Sequence, residues 1–361
     1  MTSSSGSASS TPSGSSGSSG ASSPTASSDR ASGGLSVELS LRVHDLMLRT
    51  RVLEERLITM YKQGDGYFWI GGPGEEAFNV PLGLLVDKGQ GVDHDYLHLH
   101  YRSSGTLLAM GADPVDSLRQ MKNTATDPYS KGRNFAGHYS RRSWNVAPVS
   151  SPIEVQFSIA IGTAQAQTRR GGGKGITIVQ GGDAGTAEGD FATSLVWSSR
   201  KGHELPILMI VTNNQFGIST PFDGQHGETR VADRGKAFGM QTATIDGNDP
   251  EVSWAALKKA LDYVRTERKP YLLEAMVSRL HGHSSASGAN FVKEEVDCLS
   301  RFEQRLEEKK LLTRSQMDDM RAKYTQELLV ASQRVREEPQ PKPETVWDFV
   351  FADKNHVGGE N

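Results

Sequence analysis

With 361 residues, 40 Lys and Arg against 43 Asp and Glu and a formal charge of −3, the chain is long enough for one large domain or two modest ones. No basic run offers a nucleic-acid footprint, and no apolar stretch reaches the roughly 18 residues of a membrane span, which sets those two function classes aside. The single cysteine, Cys298, excludes an internal disulfide and fits a reducing, cytoplasmic setting.

Residues 1–34 are mostly Ser, Gly, Ala, Thr and Pro, with almost nothing to bury, so a disordered tail is expected there. The segment has neither the apolar run of a secretory signal nor the repeated Arg of a transit peptide. The main domain is expected over residues 35–338. Between 39 and 63, Val43, Leu46, Leu53, Leu57 and Met60 recur at helical spacing, and Gly64 stops the helix. The aromatic run Tyr67-Phe68-Trp69-Ile70 suits a core or a cavity wall equally well.

Residues 95–100 alternate, placing Leu97 and Leu99 on one face and His98 and His100 on the other, as in a half-buried strand. With His94 these histidines do not share a helical face, and no cysteine joins them, which argues against zinc. Tyr101-Arg102 follows. An arginine at a strand end is a planar, multidentate clamp for a diphosphate, or simply a surface residue capping the strand. His138 lies in a polar loop and is a candidate acid or base, although a plain loop histidine is the alternative. Ser150-Ser151-Pro152 has the residues of a helix start, predicting a helix over 153–170 whose small residues allow close packing. The glycines of 171–175 precede a strand and lack Walker spacing, so they read as a turn.

The most informative stretch is 176–221. Ile176-Thr177-Ile178-Val179 is short, apolar and β-branched, and Gly181-Gly182-Asp183-Ala184-Gly185 follows at once, with a helix expected from about Thr186. A second apolar strand, 206–211, delivers Asn213-Asn214 to the same sheet edge. In an open α/β sheet, ligands sit beyond the carboxyl ends of the strands. Asp183 and Asn214 supply oxygens suited to magnesium, while Gly182 and Gly185 let backbone N–H groups approach a phosphate. The alternative is an ordinary turn in which Asp183 caps the helix.

Beyond it, residues 244–250 read as an Asx-rich turn leading into a helix over 252–266. A further strand, 271–277, leads to Arg279-Leu280-His281-Gly282-His283-Ser284, a polar loop of the kind where catalytic groups gather, or a solvated loop without a role. Charged helices are expected over 294–311 and 313–338, the second opened by a Thr313…Gln316 capping box. Prolines then break the chain, and residues 339–361 form a linker and an apolar tail suited to docking on a partner or on its own domain.

Gly182-Asp183 followed about thirty residues later by Asn213-Asn214 resembles the thiamine diphosphate fingerprint. The continuation Gln215-Phe216-Gly217-Ile218-Ser219-Thr220-Pro221 and the segment Ala187-Glu188-Gly189-Asp190 resemble, more narrowly, the alpha subunits of branched-chain 2-oxo acid dehydrogenases. The resemblance covers roughly residues 39–351. It implies an α/β fold of the thiamine diphosphate-binding type, a mainly parallel sheet with helices on both faces and a helical C-terminal part. It implies oxidative decarboxylation of small branched-chain 2-oxo acids, such as 3-methyl-2-oxobutanoate, with thiamine diphosphate and Mg2+ as cofactors. The implied partners are a beta subunit, in an alpha2beta2 heterotetramer, and a lipoyl-bearing dihydrolipoyl acyltransferase.

Carried over residue by residue, the resemblance gives the diphosphate to Tyr101, Arg102, Ser151 and the turn Gly182, Asp183, Ala184 and Gly185. It packs Ile153 against the bent cofactor and gives the metal to Asp183, Asn214 and the carbonyl of Phe216. It makes His138 and His283 catalytic, with His283 also touching the cofactor. Val155, Ala184 and Ala286-Ser287-Gly288 stand where the family has Thr, Gly and an Asp-bearing loop, departures that touch its potassium site, its turn and its phosphorylation control. A pyruvate or acetoin dehydrogenase alpha subunit and a non-catalytic homologue are the alternatives.

Overall fold

The computed structural model describes residues 34–170 and 174–348. The expectations for the Ser/Gly-rich tail, for Gly171–Gly173 and for the apolar tail beyond 348 lie outside the described residues. In chain order the helices are α1 (Val37–Lys62), α2 (Glu76–Leu85), α3 (Ser104–Ala109), α4 (Pro114–Lys122), α5 (Val155–Arg170), α6 (Gly189–Ser198), α7 (Asp233–Ala237), α8 (Pro250–Glu267), α9 (Cys298–Glu308) and α10 (Arg314–Arg336). The strands are β1 (Tyr96–His98), β2 (Thr177–Gly182), β3 (Ile207–Asn213), β4 (Phe216–Gly217), β5 (Thr220–Pro221), β6 (Gln241–Asp246) and β7 (Tyr271–Met276). Five of them form one parallel sheet in the order β1-β2-β3-β7-β6, and β4 and β5 make a small antiparallel ribbon.

Strand β3 shows why the sheet is parallel and central. Its side chains alternate between two cores. Ile207, Met209 and Val211 join Phe157, Ala160, Phe191 and Leu195 of α5 and α6 on one face. Leu208 and Ile210 join Phe78 and Leu82 of α2 and Leu257, Leu261 and Val264 of α8 on the other. A strand buried on both faces reads as a continuous apolar run, the signature of a parallel sheet flanked by helices. A third, mostly helical core packs α1 against α9 and α10 through Met47, Leu53, Leu57, Phe302 and Leu328, giving the expected helical C-terminal part.

Local signals set most boundaries. Asp249 accepts from the N–H of Glu251 and caps α8 ahead of Pro250. Thr313 and Gln316 form the expected reciprocal box at α10. Four expectations are corrected. Residues 244–246 do not form a turn; they end the edge strand β6, which its mixed Gln-Thr-Ala-Thr-Ile-Asp sequence concealed. A 3-10 turn over Ala184–Ala187 replaces the helix expected from Thr186, and α6 begins at Gly189. The helix expected over 294–311 is shorter, Cys298–Glu308, because Asp297 caps it through the N–H of Leu299. Ser150-Ser151-Pro152 does not open a helix; α5 begins at Val155, after Glu154 takes a left-handed φ of 61°.

The half-buried strand expected over 95–100 is also corrected: it shortens to β1, and His98 and His100 are buried as well as Leu97 and Leu99. His98 shares a hydrogen bond with Thr163 Oγ1 at 2.9 Å, and burial pushes its imidazole down to about 4. The unfolded chain titrates near 6.5, so as pH falls from there towards 4 the unfolded state gains a proton that the fold refuses. Stability should therefore decline by about 1.4 kcal/mol per pH unit from this residue, roughly 2 kcal/mol between pH 6.5 and 5. His98→Gln, which keeps a partner for Thr163, should flatten that slope in unfolding measured across the same range.

Candidate active site

Strand register brings the site together. Gly182 of β2 lies opposite Thr212 of β3, so Asp183 and Asn214 leave the sheet side by side. The chain after β1 brings His100, Tyr101 and Arg102 to this edge, and the chain after β7 brings His283. One cleft is lined by Tyr101, Arg102, Ser151, Ile153, Gly182, Asp183, Ala184, Gly185, Asn214, Phe216 and His283, all of them read as site residues from the sequence. His138 stands directly behind, its Nε2 2.5 Å from Ser151 Oγ.

Asp183 does not cap the turn that follows it. It is 1% exposed, its Oδ1 accepts a long 3.4 Å contact from the N–H of Asn214, and its Oδ2 has no hydrogen-bond partner. Burial raises its pKa, and backbone N–H groups only partly offset this. An isolated buried carboxylate is costly unless a cation joins it. The neighbouring Asn214 Oδ1 accepts from the N–H of Phe216 at 3.2 Å. Among the described residues no three His, Cys, Asp or Glu side chains gather as metal ligands. A set of one carboxylate, one amide oxygen and one backbone carbonyl would not form such a group, yet it has the hard oxygens that magnesium takes alongside phosphate and water.

The turn has room for a ligand. A Cβ on Gly182 would meet only the His100 ring, at 3.8 Å. Ala184, where the family has glycine, opens the 3-10 turn with ordinary helical backbone, and Gly217 leaves the space its methyl needs. The substitution is sterically absorbed.

Arg102 is buried and engaged on several sides. Its Nη1 donates to the Gly71 carbonyl, and its Nη2 lies 3.1 Å from the His283 carbonyl and 3.2 Å from His283 Nδ1. A guanidinium only donates, so Nδ1 must accept and neutral His283 carries its proton on Nε2. Burial, then the charges of Arg102 and Arg279, push His283 down to about 4. Behind Arg102 stands Glu75, 3.9 Å away; its own burial outweighs the arginine and raises it to about 8. His138 has the opposite tautomer. Its Nδ1 donates to the Ala136 carbonyl at 3.4 Å, leaving Nε2 to accept from Ser151, and burial lowers its pKa.

Other residues joined the site unforeseen. His100 and Gln156 line it, as do Gly217 and Ile218 of the β4 ribbon and its turn. Glu154 lines it too, with its carboxyl pushed well up by burial and by the nearby Asp183. His94, by contrast, lies at the surface beside Asp87. Ser284 is buried and caps its own turn by accepting from the N–H of Ala286.

Residues 44–344 match the family model described as the dehydrogenase E1 component. The 2-oxoisovalerate dehydrogenase subunit alpha of Bacillus subtilis is 29% identical over 332 residues, which cover 88% of this chain and 97% of that one. The mitochondrial counterpart of Caenorhabditis elegans is 30% identical over 249 residues, 69% of this chain but only 56% of its own length. The human mitochondrial counterpart is 24% identical over 326 residues, covering 88% and 71%. With a parallel sheet, a cleft at its carboxyl edge and a family match over most of its length, the chain belongs to the dehydrogenase E1 component family.

Proposed function

We propose that this chain is the alpha subunit of a branched-chain 2-oxo acid dehydrogenase, working with thiamine diphosphate and magnesium. The observation that carries the reading is the buried, unpartnered Oδ2 of Asp183 in the same cleft as Asn214, Arg102 and His283. When bound, thiamine diphosphate supplies the nucleophilic carbon and the electron sink for decarboxylation. Asp183, Asn214 and the carbonyl of Phe216 hold the metal. Tyr101, Arg102 and Ser151, with the backbone of residues 182–185, hold the diphosphate. Ile153, which lines the same cleft, would pack against the cofactor. Neutral His283 offers an Nε2–H donor, whereas His138 offers Nε2 as an acceptor once Ser151 turns away, so the two can serve opposite directions of proton transfer.

The beta subunit covers the cleft in an alpha2beta2 heterotetramer, and the acyl group passes to a lipoyl-bearing dihydrolipoyl acyltransferase. Support for the covering subunit comes from Ile153 and Ile218, which line the cleft yet are 59% and 55% exposed. The test is co-expression with the beta subunit from the same source, followed by decarboxylation assays with an artificial electron acceptor. Faster turnover of 3-methyl-2-oxobutanoate than of pyruvate is expected, and the reverse order would make this a pyruvate-type enzyme. The two acids differ by two methylene units, each worth about 1–3 kcal/mol or about 10- to 200-fold in an apolar pocket, so the ratio should lie between about 100 and 40,000.

A further inference from the structure

Glu154 has no part in the reading above. Its backbone is left-handed, and this bend aims the side chain beneath the turn that follows β2. The carboxyl group fills the hollow that a Cβ on Gly181 or on Gly185 would need, and the residue is 2% exposed. Glu154 Oε2 accepts from Gln156 Nε2 at 3.0 Å, and the same nitrogen reaches the Gln180 carbonyl of β2 at 3.2 Å. The N–H of Gly182 also interacts with the carboxyl.

We propose that Glu154 is a positioning residue that braces the 181–185 turn from below, so that Asp183 and the N–H groups of the turn are set before cation and diphosphate arrive. Three of the five residues in that turn are glycines, and a glycine loses more freedom on ordering than any other residue. A brace that orders them in advance strengthens binding by removing that loss from the binding step. The glycines are in turn required by the brace, since any side chain at 181 or 185 would occupy its place. The inference rests on the cofactor reading for its consequence, and on the hollow and its hydrogen bonds for its geometry.

The brace depends on shape. Glu154 Oε1 has no partner, so an amide nitrogen placed there loses nothing, while the remaining oxygen still accepts from Gln156. Glu154→Gln should therefore behave like the natural chain. Glu154→Ala, or Glu154→Asp should the alanine variant not fold, leaves the hollow unfilled. In the complex with the beta subunit, hydrogen exchange of the 181–186 amides without cofactor should quicken at least tenfold in the alanine or aspartate variant. Calorimetric affinity for thiamine diphosphate at saturating magnesium should weaken about tenfold, with the glutamine variant within twofold on both counts. Unchanged exchange in Glu154→Ala, or a glutamine variant as impaired as the alanine one, overturns the brace. Failure of the natural complex to bind thiamine diphosphate overturns the cofactor reading instead, and the exchange comparison still decides the brace.

Discussion

Asp183→Ala should abolish magnesium-dependent binding of thiamine diphosphate while raising the melting temperature of the cofactor-free protein. Asp183 is the one carboxylate in the expected ligand set, and magnesium held by one or two carboxylates together with phosphate oxygens has no charged protein ligand once it is gone. Turnover should fall by at least about a thousandfold. Without the metal the same carboxylate is a burden, because it is buried, its Oδ2 is unpartnered and its pKa is raised. A carboxyl whose folded pKa exceeds its unfolded value is stabilising only when protonated, and that contribution is lost as pH rises through the window between the two. At pH 7 the alanine therefore relieves the fold, the usual trade between a poised site and stability.

Thermal unfolding with and without magnesium and thiamine diphosphate reads both halves. Ligand at 100 times its dissociation constant stabilises the natural protein by about 2.7 kcal/mol. The variant should start higher and show no ligand shift. Cofactor affinity of the natural protein should also weaken as pH falls, because the cation must displace a proton held more tightly than on an ordinary aspartate. A variant that melts lower without ligand would mean that Asp183 serves the fold rather than the metal.

How much of this was legible depended on whether a signal was local. The β2 and β3 strands, the glycine turn and Asn214 could be read because apolar β-branched runs and Gly-Asp or Asn-Asn punctuation lie next to one another in the chain. Register then did the rest, since Gly182 opposite Thr212 follows from two strands of similar length in parallel. Glu154 could not be read. Nothing in Ser-Ser-Pro-Ile-Glu-Val announces a left-handed residue, and the hollow it fills belongs to a turn 27 to 31 residues further on. The same bend is why the helix starts two residues later than its Ser-Pro signal suggests. His100 was misjudged for a related reason: alternation predicts two faces, but only the packing of α5 and the loops above decides that both are buried.

Arg102 carries the second large expectation. Arg102→Ala should lower kcat/KM by about 100- to 1000-fold, the size expected for removing a charged hydrogen-bond donor from a water-excluded site. Its guanidinium ties the Gly71 carbonyl to the His283 loop and fixes the His283 tautomer through Nδ1, so its loss frees both segments as well as the diphosphate clamp. Two further readouts distinguish this from general damage. The imidazole of His283, held near 4 by burial with Arg102 and Arg279 adding to it, should titrate at higher pH by NMR. Glu75, at about 8 with Arg102 beside it, should rise further. Since the unfolded carboxyl titrates near 4.3, stability of the natural protein falls from this residue as pH rises to about 8 and then levels; in Arg102→Ala the fall should continue beyond that point. Arg102→Lys restores a charge beside Glu75 but cannot span Gly71 and His283 together, because an ammonium is a point donor rather than a planar fork. It should recover the pH profile of stability and not the activity. A fully active lysine variant would show that charge alone is needed, and that the geometry linking the two loops is incidental to catalysis.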